Sequence, residues 1–408
     1  MPHQYLTLYA EPEAHTALSL VKGCTPWRWT ITLPALDEPP EFVHRLAKRS
    51  ERVLIILVIN QTCTPITSAN QTLINAIEQD YPLIARQGHL ALYSLGEPTL
   101  LVVDRANTPL PAKTGVGLAR KIAADIALRL ITEGRIKSSW IYCTDADAQL
   151  PSDYFSLCEQ SSAVAASLPF THIGRAGKLL AATKLYEQAI RYYAQGLRFA
   201  GSGYGFLSLG SALAFKATAY AKVRGFNVRE AGEDFYLLNK LAKLGTIFSP
   251  EYADSKGEGN VLPGISRIEI SARLSNRTPF GTGASVTQMC QLPRLEGFHY
   301  YTPECFFMLK HWFDLTDRLT QNSLMAEFAN LPEPLKDALA AQNVHSLAEH
   351  LARQGKYPQQ IQTICHTWLD GFRTLKIIRH LQSHCFPAKP FMHTLTQQPF
   401  LTHTDISA

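Results

Sequence analysis

The residue types best suited to chemistry in this chain are two pairs of carboxylates, Asp145-Ala146-Asp147 and Glu233-Asp234. The first pair follows the apolar run Trp140-Ile141-Tyr142-Cys143 and precedes Pro151, so it reads as the polar end of a buried strand. The period of two in a strand sends Asp145 and Asp147 to the same side. Two hard oxygen donors so close together suit a divalent cation such as Mg²⁺ or Mn²⁺, with phosphate oxygens completing its shell. Turn chemistry is the plainer account of the same residues, because Asp favours turns and Pro ends strands. The second pair heads a helical pattern carried by Leu237, Leu238 and Leu241. Carboxylates there complement the helix macrodipole, and a helix start also projects side chains into a cleft, where one can act as a general base.

The elements that must position these residues alternate along the chain. Arg52 to Gln61 is a continuous β-branched run ending in polar residues, the mark of a central parallel strand buried on both faces. Thr67 to Arg86 has helical spacing, Leu100 to Arg105 is the next strand, and Lys113-Thr114-Gly115-Val116-Gly117 opens a helix running to about Ile131. That glycine cluster lacks the spacing of a phosphate-cradling loop and does not directly follow a strand, which argues against a nucleoside triphosphatase. Strands are expected at Ala163 to Leu168 and Leu209 to Lys216, with helices at Lys178 to Phe199 and Ala219 to Phe226. Between them Gly201-Ser202-Gly203-Tyr204-Gly205 reads as a joint, either a plain linker or one presenting an exposed Tyr to a ligand. In Ser271 to Gly283, an extended strand would aim Arg273 and Arg277 the same way, to clamp phosphate oxygens or to form a solvated edge. This alternation argues for an α/β fold.

The flanks differ in character. Residues 1–45 read as a loop-rich N-terminal extension, on the strength of stretches such as Leu33-Pro34-Ala35-Leu36-Asp37-Glu38-Pro39-Pro40. Residues 296–408 carry helical patterns at Phe306 to Leu319, Leu335 to Ala341, Val344 to Gln354 and Gln360 to Gln382, whose aromatics are expected to form core. The core domain is accordingly drawn at 46–295.

Bulk properties narrow the classes. Of 408 residues 46% are hydrophobic and 18% charged, which describes an ordinary folded protein, and a net charge of +5 without a basic block does not describe a nucleic-acid binder. The eight cysteines form no Cys-x-x-Cys pair and several sit in apolar runs, as expected of reduced structural thiols in a cytoplasmic protein without a zinc site. The N-terminus lacks the pattern of a secretory signal, and the run Val53 to Ile59 is far short of the roughly 20 residues a bilayer span requires. The expected location is the cytoplasm, with peripheral contact at the inner face of the membrane left open.

Taken in order, these segments resemble the inverting, family 2 type glycosyltransferases with the nucleotide-diphospho-sugar transferase (GT-A) fold. The matching pieces are the strands ending at Asn60 and Asp104, the helix start Gly117-Leu118-Ala119-Arg120-Lys121, and Asp145-Ala146-Asp147. Gly210-Ser211-Ala212 to Gly225-Phe226 follows, and then Glu233-Asp234 ahead of its leucines. The resemblance covers about residues 50 to 250. It implies a mostly parallel sheet flanked by helices and transfer of a sugar from a nucleotide-diphosphate donor to a hydroxyl acceptor: a glycan, a lipid-linked sugar or a small molecule. It further implies a Mn²⁺ or Mg²⁺ ion on Asp147, with Asp145 nearby contacting the ribose or the metal, and with His299 the nearest histidine for a third position. Asn60, Asp104 and Arg120 would hold the nucleoside, Asp234 would be the base, and Glu233 would orient it or hold the acceptor. Two positions depart from the pattern: Ile59 stands where proline is usual, and Arg105-Ala106-Asn107 replaces an Asp-Gly-Ser-like continuation. A nucleotidyltransferase on a related sheet, or a GT-A-like module that binds nucleotide sugar without turnover, are the alternatives.

Overall fold

Every residue of the β-branched run Val53–Asn60 is buried, because the strand lies inside a nine-stranded sheet with neighbours on both edges. The computed structural model of the chain describes residues 2–250, 264–275, 281–319, 324–354 and 357–395. They fall into two compact units: the described residues of 1–175, 208–251 and 263–284, and those of 176–207 and 285–408.

In the first unit the strands are β1 (Trp29–Ala35), β2 (Val53–Asn60), β3 (Leu83–Gln87), β4 (Leu90–Ser94), β5 (Thr99–Arg105), β6 (Trp140–Cys143), β7 (Ala148–Gln149), β8 (Ala165–Ser167), β9 (Phe170–Ile173), β10 (Leu213–Lys216), β11 (Ile247–Phe248) and β12 (Ile268–Ser271). The large sheet has the order β11-β8-β10-β6-β1-β2-β5-β4-β3, and β7-β12-β9 form a small one. The four central strands β6-β1-β2-β5 are all parallel, while β10 and β4 pair antiparallel with their neighbours. The chain is thus mixed α/β, with a mostly parallel central sheet flanked by helices.

The path through this sheet fixes where a ligand belongs. From β1 the chain steps outward to β2 and β5, then returns through the helix Gly115–Thr132 to lay β6 on the other side of β1. The crevice outside the C-terminal ends of β1 and β6 is therefore a topological switch point, the place where open α/β sheets bind ligands.

β1 corrects the reading of 1–45 as a loop-rich extension: its strand is at the centre of the sheet, and Pro2–Leu8 and Glu13–Leu20 are helices of the same unit. Pro34 disguised the strand, since proline cannot donate to a ladder. It is tolerated because β6 pairs only with Ile31 and Thr32, so at Pro34 β1 has a ladder partner, Val58, on one side alone. The buried hydroxyls of Thr30 and Thr32 donate to the carbonyls of Leu54 and Tyr142, at 3.0 and 3.2 Å. The N-terminal helices are tied down by Asp125, which is fully buried. It accepts from the hydroxyls of Tyr5 and Tyr220, at 2.7 and 2.9 Å, and from Lys121 Nζ at 2.7 Å. Burial raises the Asp125 carboxyl above its ordinary range.

Other boundaries also shift. The helix expected over Thr67 to Arg86 ends at Asp80, where Tyr81 turns extended and the chain enters β3. The strand expected from Leu209 begins only at Leu213, after a 3₁₀ turn at Gly210–Ala212. The helix Lys178–Phe199 falls in the second unit rather than the first, so the 46–295 boundary does not follow the compact units.

The second unit is helical. Tyr192 packs against Phe306 and Phe391 with ring centroids 5.4 and 5.5 Å apart, around a core that includes Trp312, Phe313, Ile377 and Leu381. Tyr204 is buried, not presented to a ligand. The single pattern from Gln360 to Gln382 is two helices, Pro358–Trp368 and Gly371–His384, because Asp370 caps the second by accepting from the Arg373 N–H. All eight cysteines are free thiols, and among the described residues no helix is long and apolar enough to cross a membrane.

Candidate active site

β6 stops at Cys143 and the chain turns at once. The Ala148 N–H donates to the Asp145 carbonyl at 3.1 Å, closing a four-residue turn that contains both aspartates. The expectation that a strand aims the pair is therefore corrected: the local chemistry is that of a turn, and its position makes it a site. Arg45 Nη2 donates to the Ala146 carbonyl at 2.8 Å, the Ser271 N–H of β12 donates to the Asp147 carbonyl at 3.2 Å, and the Thr144 N–H donates to the Thr32 carbonyl of β1 at 3.0 Å. The turn is pinned to the switch point from three directions.

Arg120 joins the two carboxylate pairs. Its Nη2 donates to Asp145 Oδ1 at 2.7 Å and its Nε to Glu233 Oε1 at 2.9 Å, with the arginine and the glutamate each only 5% exposed in their side chains. Burial works against the guanidinium charge, and Asp145 and Glu233 more than restore it, so the group is held charged. Its buried Nη1 has no hydrogen-bond partner among the described residues. This close approach depends on Gly210, where a Cβ would stand 2.7 Å from Arg120 Cζ.

The first turn of the helix Glu233–Leu241 follows Gly232, whose φ of 74° is left-handed backbone that glycine adopts without cost. Asp234 Oδ1 accepts the Phe235 N–H at 2.7 Å, so Asp234 caps the helix in part, while its neighbour Glu233 is committed to Arg120. Burial, with the adjacent charge of Glu233 added, pushes the Asp234 carboxyl up to about 7. A carboxyl poised there is half-ionised near neutrality, the condition a general base requires.

Gly117 sets the spacing between Arg120 and this helix. Its N–H donates to the Arg229 carbonyl at 3.0 Å, and a Cβ at Gly117 would stand 2.6 Å from backbone atoms of Arg229 and Asn227. Gly117→Ala is expected to cost about 1–3 kcal/mol, since rigid backbone must move to admit the methyl group. A urea-unfolding midpoint unchanged from wild type would refute this.

A second arginine closes the other side. Arg273 donates from Nη1 and Nη2 to both oxygens of Glu38, at 2.8 and 2.6 Å, and its Nε lies 2.9 Å from Asp147 Oδ2. Burial first, then Asp145, push the Asp147 carboxyl up to about 6, against the pull of Arg273. Arg273 stands beyond the end of β12, not in the extended strand expected for it, and Arg277 lies outside the described residues. Glu38 was missed because β1 was. The signal was present: it is a carboxylate just past a strand end, the same pattern that singled out Asp145.

The remaining expected residues are placed unevenly. Asn60 ends β2 and Asp104 is the last residue but one of β5, at the same edge of the sheet. Three inter-strand steps of about 4.8 Å separate β5 from β6, so Asp104 does not touch the carboxylate turn. Asp104 is also engaged locally, accepting the N–H groups of Ala106 and Asn107 at 3.0 and 2.9 Å. Gln61, which no sequence pattern singled out, is buried beside Asn60, and its Oε1 accepts from Thr67 N–H and Asn70 Nδ2 at 3.0 and 3.2 Å. His299 belongs to the second unit, where its Nδ1 lies 2.9 Å from the Gly297 carbonyl. Among the described residues no three or more His, Cys, Asp or Glu side chains are grouped to hold a metal ion. Asp145 and Asp147 nevertheless offer the hard oxygens a Mg²⁺ or Mn²⁺ takes, each with one oxygen facing an arginine, and phosphate and water oxygens are the usual complement of such a pair. Compared with known proteins, the chain matches no family model and no curated protein.

Proposed function

We propose that this site transfers a sugar from a nucleotide-diphosphate donor to an acceptor hydroxyl, with inversion at the anomeric carbon, on a fold of the GT-A type. One observation carries the reading. A single charged arginine, Arg120, holds together the carboxylate turn at the switch point and the helix start that bears a carboxyl poised near neutrality.

Each residue has a task in that reaction. The acceptor oxygen bonds to the anomeric carbon as its proton passes to Asp234, and the bond from that carbon to the phosphate oxygen breaks, its electron pair leaving with the nucleoside diphosphate. Negative charge grows on the departing phosphate, and the unpartnered Arg120 Nη1 is a donor suited to receive it. A divalent cation held by Asp145 and Asp147 would supply further positive charge there. Glu233 keeps Arg120 in place, and a single base with direct displacement inverts configuration.

Thermal denaturation of the full chain with a panel of nucleoside diphosphates, with and without Mn²⁺, tests the reading. One nucleotide is expected to raise the midpoint, more so with Mn²⁺, because a ligand that binds only the folded state stabilises it by mass action. No shift with any nucleotide would sink it; a shift without transfer activity would instead favour the module that binds but does not turn over.

A further inference from the structure

Behind the carboxylate turn, on the side of the helix Glu41–Ala47, lies a cavity of about 220 Å³ that shares Asp145 with the candidate active site but is otherwise lined by residues the transfer reaction does not use. Its apolar wall includes Leu33, Phe42 and Leu46, and its polar lining is Arg45, Lys48, Arg49, Thr144, Asp145 and Gln149. Three cations face one carboxylate, and that carboxylate, Asp145, is already paired with Arg120. Two buried polar atoms on residues lining the cavity have no partner among the described residues: Thr144 Oγ1, on a residue 1% exposed, and Arg49 Nε, on a side chain 9% exposed. Orphaned donors in a native interior call for an explanation, and a ligand that pairs with both is a direct one.

We propose that this cavity is a second binding site, for a small phosphate monoester of monosaccharide size. The lining gives each part of that description. A surplus of one positive charge, counted with Arg49 set against Glu51 and with Asp145 left negative because Glu233 already matches Arg120, favours an anion, for which Arg45 and Lys48 are the natural partners. The volume has room for one sugar ring with its phosphate. The apolar wall takes the carbon face of the ring, and Thr144, Gln149 and the Arg49 Nε–H offer hydrogen bonds to its oxygens. Because Arg45 also holds the Ala146 carbonyl, a ligand seated here bears on the same turn that carries Asp145 and Asp147.

The test is calorimetric titration of the full chain with hexose 6-phosphate, inorganic phosphate and the unphosphorylated hexose, without metal or nucleotide. Saturable one-to-one binding of hexose 6-phosphate is expected, at least about tenfold tighter than either partial ligand. Lys48→Glu, at an exposed position, should weaken it at least about tenfold with no change in melting temperature. Thr144→Val should weaken it as well while raising the melting temperature of the ligand-free protein, because the orphaned hydroxyl is gone. The proposal falls if nothing binds saturably, if inorganic phosphate binds as tightly, if Lys48→Glu binds like wild type, or if a nucleoside diphosphate displaces the sugar phosphate. Since no nucleotide sugar is present, the cavity is read whether or not the Arg120 site transfers sugar.

Discussion

Asp234→Asn is expected to yield a folded protein whose sugar transfer falls by roughly 10²–10⁴, the usual contribution of a positioned general base. The substitution keeps the size of the side chain and its oxygen for the Phe235 N–H, so the helix start is undisturbed. In the wild type the rate should rise with pH through about 7 as the carboxyl ionises, and the variant's residual rate should lose that dependence. Stability supplies a second reading with a definite sign. The Asp234 carboxyl is raised from an ordinary 3.8 to about 7, so between those values the folded chain keeps a proton that the unfolded chain has released. Stability therefore declines as pH rises through that window, and is not regained above it. Asparagine has no proton to lose, so the variant should gain on wild type as pH climbs from 4 to 8, by about 2–4 °C for each kcal/mol. Wild-type transfer rates in the variant would remove Asp234 from the reaction; a flat stability difference across that pH range would remove its raised pKa.

The ease with which the sequence yields its structure differs sharply between neighbouring elements, for physical reasons. β2, β5 and the helix Gly115–Thr132 announce themselves because a fully buried parallel strand must be continuously apolar and a long helix must repeat its buried face. β1 lies between β2 and β6 and is buried from Thr30 onward, yet its Thr-Ile-Thr-Leu-Pro pattern hides it. The threonines are satisfied by carbonyls of adjacent strands, and the proline sits where one ladder is missing; neither circumstance is written locally. With β1 went Glu38, and with Glu38 the grip of Arg273. The carboxylate pairs themselves were legible as residues suited to chemistry, but their geometry was not. Asp145 and Asp147 owe their orientation to a turn pinned by Arg45, Thr32 and β12, contacts that span up to more than a hundred positions of sequence. Arg120 shows the same limit: its helix was readable, but a role as a buried tie between Asp145 and Glu233 emerges only when three distant segments meet.

Arg120→Met is expected to be the most damaging single change, costing about 3–5 kcal/mol, because it leaves the Glu233 carboxylate buried without its cation. Methionine keeps the apolar stem but not the volume of the buried guanidinium, so part of the loss is the space left beside Gly210 and the rest is electrostatic. Adding Glu233→Gln should return a large part of that stability, since the stranded charge is removed; two residues in direct contact are expected to be non-additive in this sense. A urea-unfolding cycle over the four proteins measures the coupling, and additive losses would show that Arg120 and Glu233 do not depend on each other. Catalysis should separate from stability in the double variant. Arg120 pulls the Asp234 carboxyl down against burial and Glu233. With Arg120 and Glu233 both neutralised, two opposed influences leave together and burial remains, so Asp234 should stay above the ordinary carboxyl range. On the proposed mechanism, however, the donor phosphate would lose its partner at Arg120 Nη1. The double variant should therefore regain a large part of the lost stability while transferring sugar poorly, with weakened nucleoside diphosphate binding in the thermal assay. Recovery of transfer along with stability would reduce Arg120 to a structural tie and move the binding of the leaving group elsewhere.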